Sequence, residues 1–121
     1  MMSVRKVELP FRIAVVGGAQ ASKVECELAL ELGRQLAGLG ALVVCGGRGG
    51  VMKAVAQGAE AVVSVGGEWG TLSEIAIASR IGLSVGTLGT PPAEGLDLPV
   101  LENPVEAARW ALERAQAFRG S

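Results

Sequence analysis

The chain has 121 residues, enough for one layered core and too few for two, and its 50% hydrophobic and 19% charged side chains argue against disorder. A net charge of −1 offers no general basic field for nucleic acid or an anionic membrane surface, so any bound anion must be held locally. The absence of histidine excludes Ser-His-Asp and Cys-His nucleophiles and most zinc and iron sites; no metal centre is expected, and with Asp97 the only aspartate, acid–base work would fall to glutamate.

Residues 1–10 lack the apolar stretch of a signal peptide, and no later run approaches the ~18–20 residues needed to span a bilayer, so a cytoplasmic protein is expected. Residues 12–17 form a short apolar run closed by Gly17-Gly18, which suits a strand buried on both faces of a parallel sheet. Ser22 and Glu25 make a capping-box pattern that opens a helix with Val24, Leu28, Leu32, Leu36 and Leu39 as its buried stripe, ending near Gly38-Leu39-Gly40. Ser22 reads as a cap rather than a ligand. A second buried strand is expected at 41–46, then a helix over 51–57 with Gly58 as its stop. Cys26 and Cys45 fall in apolar segments and read as buried, reduced thiols.

Strands follow at 61–65 and 83–88, with a helix between them that starts at Thr71 and carries Leu72, Ile75, Ala76 and Ser79. Residues 91–97 read as a loop and 98–101 as a short edge strand. The last helix opens with Asn103 as N-cap, Pro104 at its first position and Glu106 closing a second box; it buries Val105, Ala108, Leu112 and Ala115, with Trp110 as packing. Alternating strands and helices predict an α/β fold.

Glycine, at 18 of 121 residues against a usual share of roughly 7%, is concentrated at strand ends. Gly46-Gly47-Arg48-Gly49-Gly50 precedes Val51-Met52, and Gly66-Gly67-Glu68-Trp69-Gly70-Thr71 precedes Leu72-Ser73-Glu74. A strand that ends in paired glycines before a helix presents backbone N–H groups at the positive end of the helix dipole, with no Cβ to block a close approach. This is the arrangement of a phosphate site. The dinucleotide fingerprint is absent, because the first strand ends Gly17-Gly18-Ala19-Gln20 and the second lacks a terminal acid; the Walker pattern is absent too, since no Ser or Thr follows Lys53.

Gly-Gly-Arg-Gly-Gly-Val-Met at 46–52, together with Gly-Gly-Glu-Trp-Gly-Thr-Leu-Ser-Glu at 66–74, resembles the paired signature of the LOG-like proteins, the so-called lysine decarboxylase-like family. Val-Gly-Gly-Ala-Gln-Ala-Ser at 16–22 and the arginine of the first loop resemble the branch that includes the molybdenum cofactor carrier proteins. The resemblance covers most of the chain from Arg12 to about Ala117. It implies a three-layer Rossmann-like sandwich on a parallel sheet of four to five strands, a single nucleotide-binding domain over 1–121, and a homodimer or higher homo-oligomer. Some members hydrolyse the N-glycosidic bond of nucleoside 5′-monophosphates, and others only bind.

Carried over by position, Gly66, Gly67, Gly70 and Thr71 would hold the phosphate, Glu74 would sit beside the ribose, and Gly17, Gly18, Gly46, Gly47, Gly49 and Gly50 would line the rest. Glu74 also reads as a capping box with Thr71. Arg48 reads as a phosphate clamp or as a solvated loop charge, and Trp69 either stacks on a base or pterin ring or anchors the dimer. Val65 stands where the family motif has proline. Relatives carry a further strand and helix between the helix after the first glycine loop and the strand before the second, including an arginine that hydrolytic members pair with the glutamate. Here Gly58-Ala59-Glu60 runs almost directly into Ala61-Val62-Val63, and that arginine is missing.

With the strands ordered second-first-third-fourth, this joint must cross the first strand, about 9.6 Å, which two or three residues manage only when nearly extended. Right-handed crossover then puts helix 51–57 on the face opposite helix 22–38. Either the chain is a compact natural variant or a segment is absent from it. The expected function is a binding or carrier protein for a phosphorylated nucleotide-like or pterin ligand, with no required cofactor and the molybdenum cofactor as one candidate cargo. The alternatives are a nucleoside 5′-monophosphate phosphoribohydrolase, with Glu74 catalytic and Arg48 or Arg80 replacing the lost cation, and an assembly module with a vestigial site.

Overall fold

The structure is a computed structural model that describes residues 9–17, 22–45, 58–66, 75–76, 78–89, 95 and 97–120. Five parallel strands, β1 (Arg12–Gly17), β2 (Leu42–Cys45), β3 (Ala61–Val65), β4 (Val85–Leu88) and β5 (Val100–Leu101), form one sheet in the order β2-β1-β3-β4-β5. The helices α1 (Lys23–Gly38) and α2 (Pro104–Gly120) pack against each other on one face, where Leu32 and Leu36 of α1 and four alanines of α2 meet Ile13, Val63, Val65 and Leu88. On the opposite face Ala14, Val16, Val62 and Val85 are covered by Ile75 and Ala78, which lie among helical residues. The result is the expected three-layer α/β sandwich. Both faces being covered explains why β3 and β4 are buried throughout and read as unbroken apolar runs.

Local details refine several expectations. The capping box at Ser22 forms, with Glu25 N–H donating to Ser22 Oγ (3.1 Å) and Ser22 N–H donating to Glu25 Oε1 (2.9 Å). At α2, Glu106 N–H donates to Asn103 Oδ1, but the Glu106 carboxylate accepts from Glu102 N–H instead of the cap residue. The expected stripes are narrower than the sequence suggests: Leu32 and Leu36 are buried, whereas Val24 and Leu39 at the ends of α1 and Val105 in the first turn of α2 are exposed. Gly40, with φ of +81°, ends α1 in the left-handed conformation a C′ glycine supplies.

The strand at 41–46 is not buried on both faces. β2 is an edge strand, Leu42 and Val43 are exposed, and Cys45 lies at its exposed end. Cys26 faces solvent from α1. Both thiols are free and exposed, a correction to the expectation of buried cysteines. Trp110 does pack as expected: its ring lies where a Cβ on Gly86 would come within 3.0 Å. Helix 51–57 and the start of the helix at Thr71 lie outside the described residues.

The joint before β3 is anchored rather than merely stretched. Glu60 N–H donates to the carbonyl of Arg12 (2.8 Å), and Glu60 Oε1 accepts from Arg12 N–H (3.1 Å), fastening the entry of β3 to the start of β1. The Glu60 side chain is buried, and Arg119 near the end of α2 reaches it with its guanidinium, donating Nε–H to Oε2 (2.6 Å) and Nη2–H to Oε1. The same guanidinium donates to the carbonyls of Leu9 and Pro10 and lies 4.2 Å from the centre of the Phe11 ring. One arginine thus ties α2, the chain entering β1 and the joint entering β3.

The Arg119 hydrogen bond outweighs desolvation and holds the Glu60 pKa below the ordinary carboxylate value. A lowered folded-state pKa contributes stability above the unfolded value of about 4.3, and that contribution is lost as pH falls through the folded value. Arg119→Ala is expected to destabilise the protein by about 2 kcal/mol at pH 7, less than for a fully enclosed pair because water reaches part of the arginine. Urea unfolding at pH 7 and at about pH 3 checks this: the gap between parent and variant should narrow in acid, and a constant gap would count against the linkage.

Candidate functional site

β1 lies between β2 and β3, so the connection from β1 runs toward one side of the sheet and β3 continues on the other. In open parallel sheets the crevice outside the carboxyl ends of the strands, at such a divergence, is where ligands bind. Two of the predicted glycines meet there. Gly17 is the last residue of β1 and pairs in register with Val65, the last residue of β3, so that Gly66 lies one residue beyond its neighbour. A Cβ on Gly17 would stand 3.0 Å from the Val65 carbonyl oxygen, tighter than nearly all real contacts.

Gly66 has φ of +61°, and its backbone is held from two sides. Its N–H donates to the carbonyl of Leu88 in β4 (3.2 Å), and its carbonyl accepts from the buried hydroxyl of Ser64 (3.0 Å). The carboxylate of Glu25 rests on the remaining side. Its Oε2 occupies the place a Cβ on Gly66 would need, at 1.3 Å from that position, while Oε1 closes the capping box of α1. One turn further along α1, Leu28 reaches within 3.4 Å of where a Cβ on Gly89, beyond β4, would lie. The first two turns of α1 therefore lean across the ends of β3 and β4.

Of the predicted site residues the structure brings Gly17 and Gly66 together. Gly18, Gly46, Gly47, Arg48, Gly49, Gly50, Gly67, Trp69, Gly70, Thr71 and Glu74 lie outside the described residues. Arg80 does not approach the crevice. It sits just before the turn where Gly82 N–H donates to Ser79, and that turn leads to Ser84, whose carbonyl accepts from Val62 near the entry of β3. It belongs to the opposite end of the sheet.

Sequence reasoning left Ser64 and Glu25 out of the site. Ser64 was detectable as the lone polar residue in Ala-Val-Val-Ser-Val; the second role of Glu25 depends on a tertiary approach that spacing does not reveal. A separate groove of about 400 Å³ lies between β5 and α2, lined by Leu101, Asn103, Trp110 and Glu113, two strands away from β3. Among the described residues no cluster of His, Cys, Asp and Glu could hold a metal ion, and no helix is long and apolar enough to cross a membrane.

Comparison with known proteins bears on this geometry. The SLOG cluster4 family is matched over residues 10–61, from the approach to β1 up to the first residue of β3. Among solved structures, the molybdenum cofactor carrier protein MCP of Chlamydomonas reinhardtii superimposes with a TM-score of 0.70 at 23% identity, covering 90% of this chain and 99% of that one. The fold is LOG-like, close to that of the molybdenum cofactor carrier protein. An uncharacterized protein of Archaeoglobus fulgidus is 28% identical over 143 residues, spanning 84% of this chain and 94% of its own length. That alignment is longer than the chain, so the relative carries residues with no counterpart here.

Gly66→Ala would place a methyl group in the Glu25 carboxylate and force a left-handed backbone on a residue with a Cβ. The backbone term alone costs about 1–2 kcal/mol, and expulsion of the carboxylate adds to it. Thermal unfolding should show the variant clearly less stable than the parent; equal stability would mean that the carboxylate does not rest on Gly66.

Proposed function

We propose that the chain is a binding or carrier protein for a phosphorylated nucleotide-like or pterin ligand, with a ligand of the molybdenum cofactor type as one candidate cargo. The observation that carries this reading is the adjacency of Gly17 and Gly66 at the diverging carboxyl ends of β1 and β3. In this reading the backbone of Gly66, Gly67 and Gly70 and the Thr71 hydroxyl hold the phosphate, and Arg48 clamps it. Gly17, Gly18, Gly46, Gly47, Gly49 and Gly50 allow the ligand close approach, Trp69 stacks on its ring, and Glu74 stands by the sugar. The single domain works in the cytoplasm as a homodimer, which would cover exposed apolar side chains such as Leu30, Leu39 and Leu42.

A carrier is favoured over a phosphoribohydrolase because hydrolysis needs a cation beside Glu74 to assist loss of the base. The family's arginine is absent from the sequence, and Arg80 lies at the far end of the sheet. Proton NMR of the protein with a panel of nucleoside 5′-monophosphates and a phosphorylated pterin, followed over hours, tests the choice. Broadened, uncleaved ligand signals are expected. Release of free base with ribose 5-phosphate would replace the carrier by the hydrolase, and unbroadened signals across the whole panel would remove both.

A further inference from the structure

The sheet has two outer edges, and they are built differently. β5 is two residues long, entered from Pro99 and left at Glu102; shortness, proline and charge are devices that keep an edge from pairing with another chain. β2 has none of them. Its four residues, Leu42-Val43-Val44-Cys45, carry no charge and no proline, and Leu42 and Val43 are exposed on opposite faces of the strand. The backbone of this edge is open as well. Leu42 N–H donates to the Phe11 carbonyl at the entry of β1 (2.8 Å), so Leu42 and Val44 turn their backbone groups toward β1. By the alternation of a strand, Val43 and Cys45 turn theirs outward. Leu30 adds to the same flank: it follows Leu28, which faces Gly89 beyond β4, by about 200° of helix turn, so it stands on the side of α1 away from β4 and is exposed.

We propose that β2 pairs with β2 of a second copy of this chain, antiparallel about a twofold axis at Val44, so that two five-stranded sheets join into one. In this register Val43 and the partner's Cys45 exchange both N–H···O bonds, and symmetry repeats the exchange, so every outward N–H of the two strands finds an acceptor. A second copy fits better than an unrelated strand. A twofold interface must be complementary to itself, and a strand without charge meets its own copy with no like charges opposed. Arg12, the charged residue in register with Leu42, lies at the amino end of β1, and the axis sends the two Arg12 side chains to opposite ends of the junction. The inference rests on the homodimer of the reading above and names its interface; it is independent of the ligand.

Analytical ultracentrifugation of the parent chain is expected to show a dimer. Val43→Pro removes an outward N–H that β1 does not use, as proline does on natural edge strands, and should weaken the dimer about tenfold or more while circular dichroism shows the monomer folded. Val44→Cys, combined with Cys26→Ser and Cys45→Ser, tests the register itself. It sets two thiols across the axis at the ~4.5 Å Cα separation of a non-hydrogen-bonded pair, within disulfide reach, so oxidised glutathione should link two chains covalently. A dimer that does not cross-link through residue 44 uses another surface, and so does one that a folded Val43→Pro leaves equally tight. Either result overturns the inference and leaves the homodimer standing. A parent that stays monomeric at high micromolar concentration would overturn the homodimer and the inference together, with the crevice reading untouched.

Discussion

β1 can have only one neighbour on each side, and the chain assigns β2 to one and β3 to the other. That constraint sends the connections that follow β1 and β3 to opposite faces of the sheet. Everything proposed about function depends on it. Had β3 paired beside β2, a strand would stand between Gly17 and Gly66 and they would share no crevice. Parallel pairing also requires both faces to be covered, and the division of apolar residues between the α1–α2 face and the Ile75–Ala78 face follows from it.

Two carboxylates mark the two ends of this arrangement, and their surroundings assign them different work. At the amino ends of the strands Glu60 is buried, paired with Arg119 and bonded to the backbone of Arg12. A carboxylate so enclosed would be costly without those partners, and with them it locks a joint too short to wander. At the carboxyl ends Glu25 is only partly buried, bonded to the first turn of its own helix and set against a glycine. The first group secures the joint that enters β3; the second lies against the residue that leaves it.

Much of this was legible in the residues because local signals and the global fold agree. The runs at 12–17, 61–65 and 83–88, the Ser22-Glu25 box and the Asn103-Pro104 start each appear close to where they were expected. What escaped the sequence was tertiary in origin. An apolar run of four residues reads the same in the centre of a sheet and at its edge, so nothing in Leu42–Cys45 announced that β2 would be exposed. The anchoring role of Glu60 is not legible locally, because its partner lies 59 residues away. Glu25 fitted its capping role completely, and a residue with one sufficient explanation gives no sign of a second. The glycines were legible as a class; only the structure shows that Gly66 has a specific neighbour pressed against its Cα.

The central claim is that ligand binds across the carboxyl ends of β1 and β3. Its most direct test is amide chemical-shift mapping of the isotope-labelled protein during titration with ribose 5-phosphate. The account predicts shifts at Gly17, Gly66 and Glu25, with Glu60, Arg119 and Trp110 unmoved. Shifts concentrated at Trp110 and Glu113 in the groove beside β5, or at the Glu60 end of the sheet, with Gly17 and Gly66 silent, would contradict it.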